Sequence, residues 1–484
     1  MVGPLCGAIR RHVDDAPDAP ALDDALGIVT YAELWSLAEK VRDQLVDGGV
    51  RSRSLVGVDV GNRGAFPAAA LGVMLHGCAY VPLDPAYPAA RRSFIARDAG
   101  ISGALVDAGG RSVSYRPGPE GAGRLVPHPH PAYLIYTSGT TGTPKGILIT
   151  QEQVWTLLET ASPLFGVGPG DVWSVFHSFN FDFSVWELWG ALRTGGSAVI
   201  VEADARRDGE LLVERLRNAR VTLLSMVPTA FKYLLCDGSA AQLPDLRWLV
   251  LGGESVDVPR TLDWIGDRSG VTAVNMYGLT ESTVHATHLV LTPGSAPARP
   301  GSTPIGRPLA HLQIDVVDDS LGSCPPGVVG ELVISGSAVA NGYWRRPDLT
   351  AARFVSRDGV PTYRTGDLAF RDAAGLLHHL GRSDDQVQVR GFRIEPAEIS
   401  AAATAHPDVA DAITVPFTNA AGDLDLVCHY RTRPGAQPFD LRAWLGQRLP
   451  PHLIPSRIVE HATFPLTPEG KVDRGELTRR VGAR

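Results

Sequence analysis

From Ala132 to Thr150 the chain reads AYLIYTSGTTGTPKGILIT, and no other stretch limits the possible folds so much. A short β-branched and aromatic run, AYLIY, predicts a buried strand; ILIT predicts a second, and QEQVWTLLETA after it has helical spacing. Between the strands, the ten residues after Tyr136 hold five hydroxyls, three glycines and a lysine. Glycine loses more conformational freedom on folding than any other residue, so such a run stays ordered only where something requires it. A glycine-rich turn between strands can aim successive backbone N–H groups into one concavity, and hydroxyls and a lysine add donors and positive charge. The chemistry is that of a phosphate cradle.

The best-known phosphate loop, GxxxxGK[ST], does not fit. Counted from Gly139, Pro144 stands where that pattern needs glycine, and Gly146 follows Lys145 where it needs serine or threonine. A merely polar turn is a poor account of ten consecutive residues of this kind between two apolar strands. The expectation is a phosphate loop of another type.

The rest of the composition sets bounds on function. A chain of 484 residues can build two or more domains. A net charge of −7 argues against nucleic-acid binding through bulk electrostatics and favours small-molecule or protein partners. Cys6, Cys78, Cys236, Cys324 and Cys428 are scattered without metal-ligand spacing, which suits a reduced, cytoplasmic setting. In MVGPLCGAIRRH the arginines follow the apolar residues, the wrong order for a signal peptide. The stretch from Ala65 to Leu83 carries Pro67, His76 and Pro82 and predicts a buried helix turning into a strand, not a membrane span. Four lysines stand among 45 basic residues, and two of them, Lys145 and Lys471, lie in glycine-containing loops. Where arginine is so favoured, these mark places that need a compact ammonium.

From about Ala21 to Ser383 apolar strands alternate with amphipathic helices, predicting an α/β architecture. After GRSDDQ the pattern changes to strand, turn, strand, helix, strand, opening a compact α+β region of about a hundred residues. The expected domains are 1–383 and 384–484, with a hinge at Asp384.

Nine motifs in register now carry a resemblance: VTYAEL, AYVPLDPAYPAAR, YTSGTTGTPKG, FDFSVWE, NMYGLTES, GELVISGSAVANGYWRRPDLTAARF, YRTGDL, GRSDDQVQVRGFRIEPAEI and LTPEGKVDR. The chain resembles the adenylate-forming enzymes, and within them the amino-acid adenylation domains of nonribosomal peptide synthetases. Leu279 departs from the usual proline of YGPTE, and Gln388 from a frequent lysine. The resemblance implies a large N-terminal domain of adenylate-forming type and a small mobile C-terminal domain. It also implies a reaction in which a carboxylate attacks the α-phosphate of ATP, releasing pyrophosphate, after which a thiol takes the acyl group.

The resemblance distributes roles by position. Thr137, Ser138, Gly139, Thr140, Thr141, Gly142 and Lys145 would hold the departing phosphates. Glu281 would bind Mg²⁺, and Thr280 would touch the α-phosphate. Gly253, Glu254 and Asn275 would belong to the ATP site and Tyr277 would stack on adenine, while Asp367 and Arg382 would hold the ribose. Lys471 would bridge carboxylate and phosphate oxygens, then withdraw as the small domain turns about Asp384, and Gly391 would line the path of the incoming thiol. The substrate pocket would comprise Asp182, Phe183, Trp186, Ser225, Val250, Gly252, Met276, Val284 and His285. A carboxylate at Asp182 calls for an α-ammonium, the bulky residues leave room for a short side chain, and Ser225 and His285 offer hydrogen bonds. The set resembles pockets for L-threonine, with 2-aminobutyrate, serine and valine as competitors.

Two other functions are weighed against this one. An acyl- or aryl-acid coenzyme A ligase of the same fold would bury Asp182 opposite an uncharged acid, leaving its charge unpaired. A non-catalytic nucleotide-binding scaffold would not need Lys145, Glu281, Asp367 and Lys471 together. The sequence ends thirteen residues after Lys471, too few for a carrier domain, so the phosphopantetheine thiol is expected from a carrier protein in trans, with an MbtH-like helper as a further candidate partner. LGGES, Leu251 to Ser255, imitates a carrier's attachment site but falls mid-chain, where a strand end and turn are expected. His177 precedes the pocket motif either as a gate or as an ordinary packed histidine.

Overall fold

The computed structural model describes residues 3–61, 64–119, 123–139, 143–235, 239–266, 270–295, 297–465 and 472–482. They form two compact units. The first comprises Met1–Asp84, Ala96–Ile135 and Gly146–Ser383; the second comprises Pro85–Ile95, Tyr136–Lys145 and Asp384–Arg484.

The first unit is built on a long sheet whose middle is parallel. Strands Ser197–Ile200, Val172–Val175, Leu223–Met226, Trp248–Gly252 and Thr272–Met276 lie side by side in that order. Their residues are almost all buried, as parallel strands covered on both faces must be. A second sheet runs Val113–Pro117, Gly103–Asp107, Leu55–Asp59, Ala79–Pro82, Pro131–Thr137 and Lys145–Thr150. The two strands expected around the glycine-rich run are thus its last two neighbours. Thr150 ends the second of them and caps helix Gln151–Phe165: its hydroxyl accepts from the Gln153 N–H while the Gln153 side chain accepts from the Thr150 N–H. Helix Ala65–Leu75 and strand Ala79–Pro82 bear out the buried helix and strand read between Ala65 and Leu83.

The expected alternation of strands and helices up to Ser383 stops early. From Thr287 to Arg382 the described chain is mainly antiparallel strands, broken by the short helix Pro347–Arg353. The reason is visible in LQIDVV and GELVISG, whose β-branched content and length suit strands, joined by DDSLGSCPPGVV, whose Asp, Ser, Gly and Pro favour turns over a crossover helix.

In the second unit, Val387–Val389 and Phe392–Ile394 pair as a hairpin. Its two turn residues, Arg390 and Gly391, both have positive φ, +53° and +80°, as a two-residue hairpin turn that follows strand twist requires. Helix Pro396–Thr404 follows, then the sheet Val409–Thr418, Leu424–Thr432 and Arg457–Glu460. Val389, Ile394, Ile399, Leu426, Cys428 and Leu445 form its core.

Candidate active site

Three parallel strands of the first unit supply one wall of a pocket. Ser225 pairs in register with Val250, Val250 with Val274, and Gly252 with Met276. Side chains alternate across a strand, so Ser225, Val250, Gly252 and Met276 share one face, near the carboxyl ends where open parallel sheets bind ligands. Facing them is helix Phe183–Thr194, on which Phe183 and Trp186, three residues apart, lie on one side. The two walls are close: a Cβ on Gly252 would sit 3.5 Å from Phe183 Cε1 and 2.5 Å from the Met276 carbonyl oxygen. Only glycine fits there.

The segment from Tyr277 to His285 closes the third side. The His285 ring stands edge-on to Phe183 at 4.9 Å and to Trp186 at 5.4 Å. Just before it, Thr283 and Val284 both adopt positive φ, +57° and +70°. Consecutive β-branched residues in the left-handed region are strained, and such strain persists only where the surroundings enforce it. Gly278 permits the fold-back, since a Cβ there would meet the Val284 carbonyl oxygen at 2.0 Å.

The pocket's polar groups are buried. Asp182 precedes the helix without capping it. Burial raises its pKa, the Thr280 hydroxyl and His177 oppose the rise, the neighbouring Glu281 carboxylate adds to it, and the net value is about 6. Burial also pushes His285 down to about 3, so its imidazole is neutral at working pH. Among the described residues, Ser225 Oγ, both ring nitrogens of His285 and the Trp186 indole nitrogen have no hydrogen-bond partner. Buried polar groups are normally satisfied, so four such atoms on the pocket's residues point to a ligand that completes some of them.

His177 is firmly packed. Its ring stacks on Phe183 at 4.4 Å, and Nδ1 lies 2.9 Å from Glu187 Oε1. The fully buried Glu187 also accepts the Phe176 and His177 N–H groups.

A second cluster lies in the same unit. Tyr277 Oη donates to Asp367 Oδ2 at 2.5 Å, and Arg382 Nη1 donates to Asp367 Oδ1 at 2.8 Å. His379 Nε2 is 3.3 Å from that oxygen. Burial alone would raise the Asp367 pKa, but the His379 contact, the Arg382 charge and the Tyr277 hydroxyl outweigh it and leave a value of about 2. Asp367 is therefore an ionised carboxylate held in place, with three donors on its about four lone-pair sites and room for one more. Asn275 Nδ2 donates to the Pro304 carbonyl, and Glu254 Oε2 accepts the Thr229 N–H. Gly253 has φ +82°. Glu281, wholly buried, accepts from Tyr343 Oη at 2.8 Å.

Of the residues read from sequence, Asp182, Phe183, Trp186, Ser225, Val250, Gly252, Met276 and His285 line these walls, Val284 stands beside His285 in the strained turn, and Tyr277, Asp367 and Arg382 form the second cluster. Thr137, Ser138, Gly139, Lys145 and Asp384 belong to the other unit. Thr140, Thr141, Gly142 and Lys471 lie outside the described residues. Sequence reading missed His379, Tyr343 and Glu187. The first was within reach: a hairpin over the turn Asp372–Gly375 pairs Ala369 with His379 and Asp367 with Arg382, so His379 falls on the Asp367 face.

Residues 9–344 match the AMP-binding enzyme family. The chain belongs to the AMP-binding enzymes. Within this family it is 36% identical over 490 residues to syringomycin synthase SyrB1 of Pseudomonas syringae pv. syringae, covering 95% of this chain and 79% of that one. It is also 36% identical over 503 residues to a dimodular nonribosomal peptide synthase of Bacillus subtilis (strain 168), covering 95% of this chain but 21% of that protein's length. Among AMP-binding enzymes of known structure, holo-PA1221, a nonribosomal peptide synthetase protein containing adenylation and PCP domains, superposes with a TM-score of 0.84 at 27% identity, over 98% of this chain and 84% of that one. Its relatives thus place this AMP-binding enzyme with the nonribosomal peptide synthetase adenylation domains.

Proposed function

We propose that the chain activates a small hydroxylated amino acid, L-threonine, as its adenylate at the expense of ATP, and passes it to the phosphopantetheine thiol of a carrier protein. The observation that carries the substrate reading is the set of unpartnered atoms, Ser225 Oγ and the two His285 nitrogens, in the pocket that also buries Asp182. A buried carboxylate whose pKa is raised gains most from a bound cation, and the α-ammonium supplies one. Phe183, Trp186 and Met276 leave room for a short side chain, Val284 suits a methyl group, and neutral His285 can accept one hydrogen bond while donating another. An uncharged acid would leave Asp182 without its partner, which disfavours a coenzyme A ligase.

Tyr277 is assigned to the adenine face and Asp367 with Arg382 to the ribose hydroxyls. The loop Thr137–Lys145 is assigned to the leaving phosphates, Thr280 to the α-phosphate and Lys471 to the reacting oxygens. Mg²⁺ fits at Glu281, a buried hard-oxygen donor oriented by Tyr343. Its other ligands would come from phosphates and water. Bound there, it would offset phosphate charge.

ATP–pyrophosphate exchange with a panel of amino acids tests the proposal. Threonine should exchange fastest. A site built to bond a hydroxyl rejects the isostere lacking it by several orders of magnitude, whereas a missing methyl costs only about 1–3 kcal/mol. Serine should therefore outpace 2-aminobutyrate; faster exchange with 2-aminobutyrate or valine than with threonine would refute the polar reading of Ser225 and His285.

A further inference from the structure

Inside the second unit, the glycine-rich loop already meets an anion. The Ser138 hydroxyl donates to the Arg393 carbonyl oxygen at 2.5 Å and accepts from the Glu395 N–H at 3.1 Å. One turn along, Glu398 lies in the first turn of helix Pro396–Thr404, and its carboxylate accepts from Arg91 Nη1. Both side chains are buried, at 8% and 2% exposure. Burial raises the Glu398 pKa, while Arg91 and, more weakly, the Gly139 N–H favour its ionised form. A guanidinium from Pro85–Ile95 and a loop N–H from Tyr136–Lys145 thus converge on one carboxylate. Arg91 Nε, equally buried, has no hydrogen-bond partner among the described residues.

A guanidinium fork beside the N–H groups of a glycine turn suits a phosphate as well as a carboxylate. We propose that Arg91, Ser138 and Gly139 form one anion site for which Glu398 and the leaving pyrophosphate compete, so that Arg91 binds pyrophosphate when Glu398 is displaced. The inference rests on reading Thr137–Lys145 as the phosphate loop. Two anions cannot share a buried guanidinium at low cost, because each raises the penalty for keeping the other ionised. While the phosphates are present, Glu398 and the chain from Arg393 are kept off the loop. Once pyrophosphate leaves, Glu398 takes its place and ties down Ser138 and Gly139.

Calorimetric titration of the full chain with pyrophosphate, without ATP, tests this, alongside hydrogen exchange over residues 386–404. Wild-type protein should bind pyrophosphate and exchange faster in that segment when it does. Glu398→Gln, which keeps the shape and removes the competing charge, should bind pyrophosphate at least about tenfold tighter; Arg91→Gln should bind at least about tenfold more weakly. If Arg91→Gln does not fold, Arg91→Gln/Glu398→Gln removes both charges and should still bind weakly. Absence of pyrophosphate binding, unchanged affinity in Glu398→Gln, or a shift in the same direction for both single variants would overturn the inference. Amino-acid-dependent exchange by the wild type checks the functional reading separately, so a chain that exchanges normally yet shows no effect of Glu398→Gln refutes only the competition.

Discussion

Asp182 shows how the site sets stability against binding. Its folded pKa of about 6 lies above the ordinary 3.8, so its contribution to stability is full below about pH 4 and is lost as pH rises through about 6. At neutral pH the empty pocket carries a cost of ~3 kcal/mol, taking about 1.4 kcal/mol per pH unit. Asp182→Asn should therefore abolish amino-acid-dependent exchange while leaving Tm at pH 7 equal to or above wild type, and it should shrink the Tm difference between pH 5 and pH 7. In wild-type protein the KM for the amino acid should climb as pH falls below about 6, because a protonated carboxyl cannot make the proposed pair with the α-ammonium. A lower Tm for the variant, or a flat KM down to pH 5, would contradict the assignment. The identity of this residue was legible in FDFSVWE; its energetics were not, since they depend on burial beside Glu281 and Thr280, which sequence spacing does not disclose.

The segment Tyr277–His285 joins the two clusters, carrying Tyr277 to Asp367 at one end and His285 to Phe183 at the other. Its motif, NMYGLTES, could be read directly. The left-handed Thr283 and Val284 could not, because local propensity argues against that conformation and the surrounding contacts impose it. The same holds for the antiparallel stretch from Thr287 to Arg382, where short apolar runs fit either a strand or a buried helix until their partners are known. Gly278 is the point at which the segment can be tested. Gly278→Ala places a Cβ against backbone that cannot swing aside, 2.0 Å from the Val284 carbonyl oxygen and 2.6 Å from His285 Cα. The expected cost is about 1–3 kcal/mol of stability, as for overpacking. Because Tyr277 and His285 must both shift, KM should rise for ATP and for the amino acid together, in exchange assays run well below the variant's Tm. A rise confined to one substrate would mean that the two ends of the segment are positioned independently.

At the scale of the whole chain, sequence pattern located the change of character near Asp384 but gave no sign that Pro85–Ile95 and Tyr136–Lys145 pack with the residues beyond it. Those contacts span more than 250 positions, and neither hydrophobic periodicity nor turn chemistry reports on partners so distant. What the motifs do supply is a division of labour that can be checked in solution. Lys471 is proposed to matter only while charge passes from carboxylate to phosphate, so Lys471→Ala should lower adenylate formation by about 10²–10³ or more, the loss expected for a positioned electrostatic group. Thiol transfer from presynthesised aminoacyl adenylate should be largely spared, since the phosphate has by then become a leaving group that needs no such bridge. Asp384→Pro should do the reverse: fixing φ at the proposed hinge leaves the first half-reaction intact and slows the second, for which the small domain is proposed to turn. The pair is informative because a variant that was simply misfolded would lose both activities. Opposite losses in the two variants, measured by exchange and by single-turnover loading of a carrier, are the expected result, and parallel losses in variants whose Tm stays at the wild-type value would rule out two alternating arrangements of the chain.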